Sequence, residues 1–211
     1  MNELSPSFRL LWRRTSPSAC LSGAGLLIMA SDRLAHAITV VGALLWVYCL
    51  SVLAVHAGSR IFPRQGRKAL LAFLVSFVAS FYLLLLWISS PLCALSMFFV
   101  ISLVPVICMS SGIFDRVASK SLTEKMLVSF SEALMLGLLI AIFALIREPI
   151  GYMSLSLPGG TQGILLLFSF DSESFLPIRL ISSSSGALLL LGYFVGLYRY
   201  YKVAKTPKEE K

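Results

Sequence analysis

Apolar residues in this chain run in long blocks, without the alternation of a half-buried strand or the narrow stripe of a soluble amphipathic helix. Six blocks stand out, at roughly 18–31, 34–58, 69–89, 92–112, 126–146 and 185–201. A helix crossing the hydrocarbon core of a bilayer needs about 20 apolar residues. The second to fifth blocks meet that length. The first, Ala19 to Ala30, is short and rich in Gly, Ala and Ser, and the fourth is crossed by Pro105 and closes on Ser110, Ser111 and Gly112. The pattern predicts an all-α membrane protein of six transmembrane segments, with segments one and four interrupted. A loop of roughly 35 residues, Arg147 to Ile181, separates segments five and six. Its apolar stretch, Gly163 to Phe170, is too short to span and is expected to be interfacial or re-entrant.

Composition agrees. Of 211 residues, 57% are hydrophobic and 13% charged, with a mean hydropathy of +0.86. Soluble domains carry about 25% charged residues, and a small one could not hide this much apolar surface. The whole chain, 1–211, therefore reads as a single integral membrane domain, with no N-terminal signal peptide.

Charge fixes the expected topology. With six crossings, one side holds Arg9, Arg13 and Arg14, then Arg60, Arg64, Arg67 and Lys68, then Arg116, Lys120 and Lys125, then Arg199, Lys202, Lys205, Lys208 and Lys211. The other side holds only Arg33, Arg147 and Arg179, a split of 15 to 3 among the 18 basic residues. Positive charge marks the cytoplasmic side. Both the N-terminus (1–15) and the tail (202–211) are thus expected in the cytoplasm, and 147–181 outside. The net charge of +8 sits in membrane-flanking clusters and gives no case for nucleic acid.

The two halves look alike. Segments one and four are each interrupted, and segments two and five each end with an Arg near a Pro, Arg60-Ile61-Phe62-Pro63 and Arg147-Glu148-Pro149. Three segments per half imply an inverted repeat, and interruptions at matching places point to a site near the bilayer midplane.

Several short motifs then resemble one family. The run Ile107-Cys108-Met109-Ser110-Ser111-Gly112, continuing to Val117-Ala118-Ser119-Lys120, is similar to an N-C-x-x-x-G…F-A-S-K pattern. Arg147-Glu148-Pro149-Ile150-Gly151 resembles R-E-x-x-G, and Arg60-Ile61-Phe62-Pro63 with Arg67 resembles a basic I-P loop. Ser185-Gly186-Ala187, followed by Leu191-Gly192, is similar to P-G-A-F…G at the start of a last helix. These patterns, in this order over about residues 15–200, belong to the D/E subunit family (NqrD/RnfE) of sodium-translocating NADH:quinone reductase and the Rnf electron-transport complex.

The resemblance implies six helices in an inverted three-plus-three repeat, with segments one and four as half-helices. It also implies a paralogous partner of opposite topology in a bacterial inner membrane, flavin-bearing companion subunits, and a 2Fe–2S cluster shared by the pair. Electrons crossing that cluster would be coupled to Na⁺ or H⁺ translocation. Cys108 falls on the second-half ligand position. The first-half pattern L-G-x-C-P resembles Leu21-Ser22-Gly23-Ala24-Gly25-Leu26, which puts Gly25 where a ligand is expected. Cys20 lies five residues earlier, more than one helical turn away. Such clusters normally take four thiolates.

Other residues carry weaker signals. Glu132 is ionisable within an apolar block and is a candidate for an ion pathway, or a side chain that reaches back to the nearby membrane surface. Arg147-Glu148 is expected to cap the fifth helix or to meet a partner. Cys49 and Cys93 read as packing residues, and His36 and His56 as helix-end residues. Tyr193, Tyr198, Tyr200 and Tyr201 read as an interfacial belt. The rival readings are a cofactor-free scaffold subunit of such a complex and a small inverted-repeat secondary transporter.

Overall fold

The apolar blocks become helices because a backbone surrounded by hydrocarbon must satisfy its own N–H and C=O groups. A computed structural model describes residues 17–58, 66–118, 121–159, 163–169 and 179–204. Within them the chain forms α1 (Pro17–Ala30), α2 (Leu34–Ala57), α3 (Arg67–Ser89), α4 (Pro91–Ser110), α5 (Ile113–Val117), α6 (Leu122–Tyr152), strands β1 (Ser154–Gly159) and β2 (Gly163–Ser169), α7 (Arg179–Ser182) and α8 (Ser184–Ala204). Four of these, α2, α3, α4 and α6, are long and apolar enough to cross a membrane. The protein is mostly helical and has the build of a membrane protein.

Helix α2 is the axis of the fold. It is buried on both flanks, from Leu34 to Val52. Helix α6 runs antiparallel to it: Glu148 meets Leu34 at one end, and Gly137 backs onto Val41 further along. Helix α4 runs parallel to α2, with Thr39 beside Cys93 at 3.6 Å and Tyr48 beside Cys108. Helix α3 returns on the outside. Its Tyr82 hydroxyl donates to the Thr39 carbonyl at 2.9 Å, and its Phe81 stacks on Trp46 with ring centroids 6.3 Å apart. Phe73, Phe77, Trp87 and Ile88 of α3 point away from the core, as lipid-facing side chains do. Ser90 alone links α3 to α4, and Pro91 opens α4, where its missing N–H is not needed.

The structure departs from the sequence-based expectation in three places. The chain is not all-α: β1 and β2 pair as an antiparallel hairpin with a bulge between Leu155 and Ser156. The stretch expected to be interfacial or re-entrant is β2. Ser154 and Ser156 of β1 turn inward, toward the start of α2, and the intervening Leu155 and Leu157 lie partly covered, the period of two that a strand imposes.

Segment four is not a half-helix. Helix α4 runs unbroken through Pro105 for 20 residues. A proline removes one hydrogen bond from the ladder, and the buried surroundings of Val104, Pro105 and Ile107 hold the helix together. The break falls later, at Gly112, in the left-handed region with φ +67°.

Segment five continues past residue 146, through Arg147 and Pro149, to Tyr152. The long loop therefore begins six residues later than expected, at Met153, which is left-handed at φ 51°. Segment one does form a short helix, α1, of 14 residues. The Arg60–Pro63 motif, the N-terminal residues 1–16 and the end of the tail lie outside the described residues.

Candidate functional site

Two polar clusters sit inside this apolar body, one toward each end of α2. The first forms where α4 ends. Gly112 turns the chain back so that α5 brings Arg116 beneath the last turn of α4. The Arg116 guanidinium donates to the Ser111 carbonyl at 2.8 Å and binds the Glu132 carboxylate of α6 with both arms. The Nη2–Oε2 contact is 3.0 Å. The Ser111 hydroxyl donates to the Cys108 carbonyl at 2.8 Å. Tyr48 of α2 comes within electrostatic reach of Cys108, Ser111, Arg116 and Glu132. One tyrosine, one thiol and an ion pair are thus gathered from four helices.

Glu132 is 10% exposed at its side chain and Arg116 27%. A carboxylate held by both arms of a guanidinium is charge-compensated, and bidentate pairs are the stronger kind. The geometry gives Glu132 a bracing role between α5 and α6.

Cys108 is 0% exposed. Helix α1, which carries Gly25 and Cys20, packs against α4, which carries Cys108. The two segments that the family resemblance pairs as ligand carriers are thus neighbours. Gly25 is half-buried, and a Cβ built on it would meet nothing within 4 Å. The Cys20 side chain lies outside the described residues. Cys49 is half-buried and Cys93 buried, both as free thiols.

The second cluster forms where α6 ends and α2 begins. Arg147 is 1% exposed. Its Nε donates to the Ile181 carbonyl at 2.7 Å. Its Nη1 donates to the Ile28 carbonyl and the Ser31 hydroxyl, both at 2.9 Å. Its Nη2 donates to the carbonyls of Ser182 at 2.6 Å and Ser183 at 2.9 Å. All five guanidinium donors are thereby used. Arg147 does not cap its own helix, as the sequence suggested. It ties the end of α1 to the α7–α8 junction.

Glu148 is 0% exposed. Its Oε2 accepts the Leu34 backbone N–H at 2.7 Å, capping α2, and a negative charge suits a helix N-terminus. Asp32 accepts from the Arg33 N–H and shares a hydrogen bond with His36 Nδ1, both at 2.7 Å. The Arg33 guanidinium lies 4.7 Å above the Tyr152 ring. Ser156 of the hairpin accepts the Ala35 N–H at a long 3.5 Å.

No family model matches the chain, and no curated protein matches it.

The 2Fe–2S cluster implied by the resemblance can be weighed against these donors. A cluster shared between two subunits needs its thiolates at the shared surface. Cys108 is instead wholly covered by its own chain, and glycine stands at the other ligand position. Among the described residues no three His, Cys, Asp or Glu side chains gather as metal ligands. Among the described residues Cys108 is the one thiol at an expected ligand position, and it is closed inside its own chain. The residues that the sequence undervalued are Arg116, Tyr48 and the Asp32–His36 pair. Arg116 was visible only as one more basic loop residue, and nothing along the chain linked it to Glu132, 16 positions on.

Proposed function

We propose that this chain is a membrane-embedded subunit of an ion-translocating electron-transport complex of the Rnf/NQR type. It would sit in a bacterial inner membrane with both termini cytoplasmic and six segments in an inverted three-plus-three arrangement, paired with a paralogue of opposite topology. The observation that carries the reading is the order and spacing of its motifs around Cys108, Arg147-Glu148 and Ser185-Gly186-Ala187. The packing of α1 against α4 supports it, since those are the segments that hold the electron carrier in that family.

Within such a complex the scaffold reading is favoured over the carrier reading. Gly25 at a ligand position and the closure of Cys108 inside its own chain both weigh against electron transfer through this subunit. The chain would then supply shape and insulation between its neighbours. A secondary transporter is less favoured, because few polar side chains lie inside its helices to converge on a substrate.

The test is to purify the chain with its membrane partner and measure iron and visible absorption, alongside a Cys108→Ser variant. Assembly without iron, and unchanged electron transfer in the variant, supports the scaffold. Iron with a thiolate-to-iron absorption band that Cys108→Ser removes restores the carrier. Purification without any paralogous partner removes the complex assignment itself.

A further inference from the structure

Helix α6 carries Glu124 in its first turn and two carboxylates deeper within it, Glu132 and Glu148, whose surroundings differ. Glu132 is held by Arg116 through both oxygens. Glu148 is not held this way. It is fully buried, its Oε2 takes the Leu34 N–H, and its Oε1 has no hydrogen-bond partner among the described residues. The adjacent Arg147 does not compensate it directly, because all five of its donors go to carbonyls and a hydroxyl. A buried oxygen without a partner is costly, and ionisable groups inside membrane proteins commonly serve in ion or proton transfer.

Glu148 sits at the start of α2 through its bond to Leu34, and the elements meeting at that end of the fold bring further polar groups. The α1–α2 turn and the start of α2 bring Ser31, Asp32, Arg33 and His36. Helix α6 itself adds Arg147 and Tyr152, β1 adds the Ser156 hydroxyl, and α7 adds backbone carbonyls. His36 repeats the feature seen in Glu148: it is buried, with Nδ1 on Asp32 and Nε2 unpartnered. Asp32, the partner of His36, is 32% exposed at its side chain and so opens toward the surface. One open oxygen suits a proton. A cation would need several ligands at once, and no three acidic, His or Cys side chains converge here among the described residues.

We propose that Glu148 is a proton-binding carboxyl, loaded from the face of the protein that carries the β-hairpin, with Asp32 and His36 at its approach. The proposal does not depend on the electron-transport assignment, because it concerns a group this chain holds by itself.

Dicyclohexylcarbodiimide tests it on the purified full-length chain in detergent. The reagent adds to a protonated carboxyl in an apolar site, and the adduct rearranges to a stable N-acylurea with nothing leaving. Labelled peptides are mapped by mass spectrometry, with labelling normalised to the SDS-unfolded chain. The expected result is modification at Glu148 several-fold above that in the unfolded chain, with Glu132 left unlabelled. Label on Glu148 that is absent, or no greater than in the unfolded chain, overturns the proposal. Protection by sodium chloride but not by choline chloride overturns it in favour of a sodium site. The mapping needs no variant, so it stands even if Glu148→Gln fails to fold.

Discussion

Arg147 donates to the Ser31 hydroxyl at 2.9 Å, joining the last quarter of α6 to the end of α1 across 116 positions of chain. With its four other bonds it makes one side chain the tie between both ends of the sequence. Interhelical hydrogen bonds in membranes are worth about 0.6–1.7 kcal/mol each, so losing five predicts a cost of about 3–8 kcal/mol. Arg147→Leu should lower the unfolding midpoint in SDS titration by that much. Arg147→Lys keeps the charge without the planar fork and should fall between. Wild-type stability in both variants would refute the clamp.

The crossing of α2 and α6 depends on Gly137. A Cβ there would lie 2.9 Å from Val41 Cγ1 and 3.1 Å from Cγ2, too close for either to stay. Small residues let membrane helices approach in this way. Gly137→Ala should destabilise by about 1–3 kcal/mol, the usual cost of overpacking. Val41→Ala removes both offending methyls, so the double variant should be more stable than the sum of the single losses predicts. Simple additivity in a denaturation series would show that the helices do not meet at this pair.

The features legible in the sequence were those set by solvent. Apolar blocks near the length of a bilayer marked α2, α3, α4 and α6 because hydrocarbon leaves the backbone little choice. The hairpin was harder to see. Leu165, Leu166, Leu167 and Phe168 form an unbroken apolar run, and such a run carries no period by which to separate strand from helix. Only the Ser-Leu-Ser-Leu of β1 held the alternation. Pro105 suggested a broken helix because a proline costs a bond, but the cost can be absorbed where neighbours pack closely. At the polar clusters the limit was distance along the chain. Arg147 could be counted as a charge on one side, whereas its acceptors lie 34 to 119 positions away.

The Arg116–Glu132 pair separates a bracing role from an ion-pathway role. If Glu132 braces α5 against α6, Arg116→Ala and Glu132→Ala should each cost about 1.5–3 kcal/mol, the range for hydrogen bonds to charged groups. The double variant should cost little more than Arg116→Ala alone, which removes the contact with Glu132 together with the bond to the Ser111 carbonyl. Glu132→Gln should lose part of that stability as well. A Glu132→Gln protein with wild-type stability that no longer supports ion movement would return Glu132 to a pathway.

Orientation in the membrane follows from the two ends of α2. The hairpin meets its first turn, where Ser156 accepts the Ala35 N–H, and His56 is exposed at its last turn. A helix of 24 residues separates those ends by roughly 36 Å at 1.5 Å per residue, enough to span the bilayer core. The basic cluster Arg60, Arg64, Arg67 and Lys68 follows His56, so the His56 end should face the cytoplasm. Pro158→Cys, at an exposed position of β1, should react with an impermeant maleimide added to intact cells. His56→Cys should react only after permeabilisation. Labelling of both in intact cells would show that α2 does not cross, and the reverse order would invert the topology and place Glu148 on the cytoplasmic side.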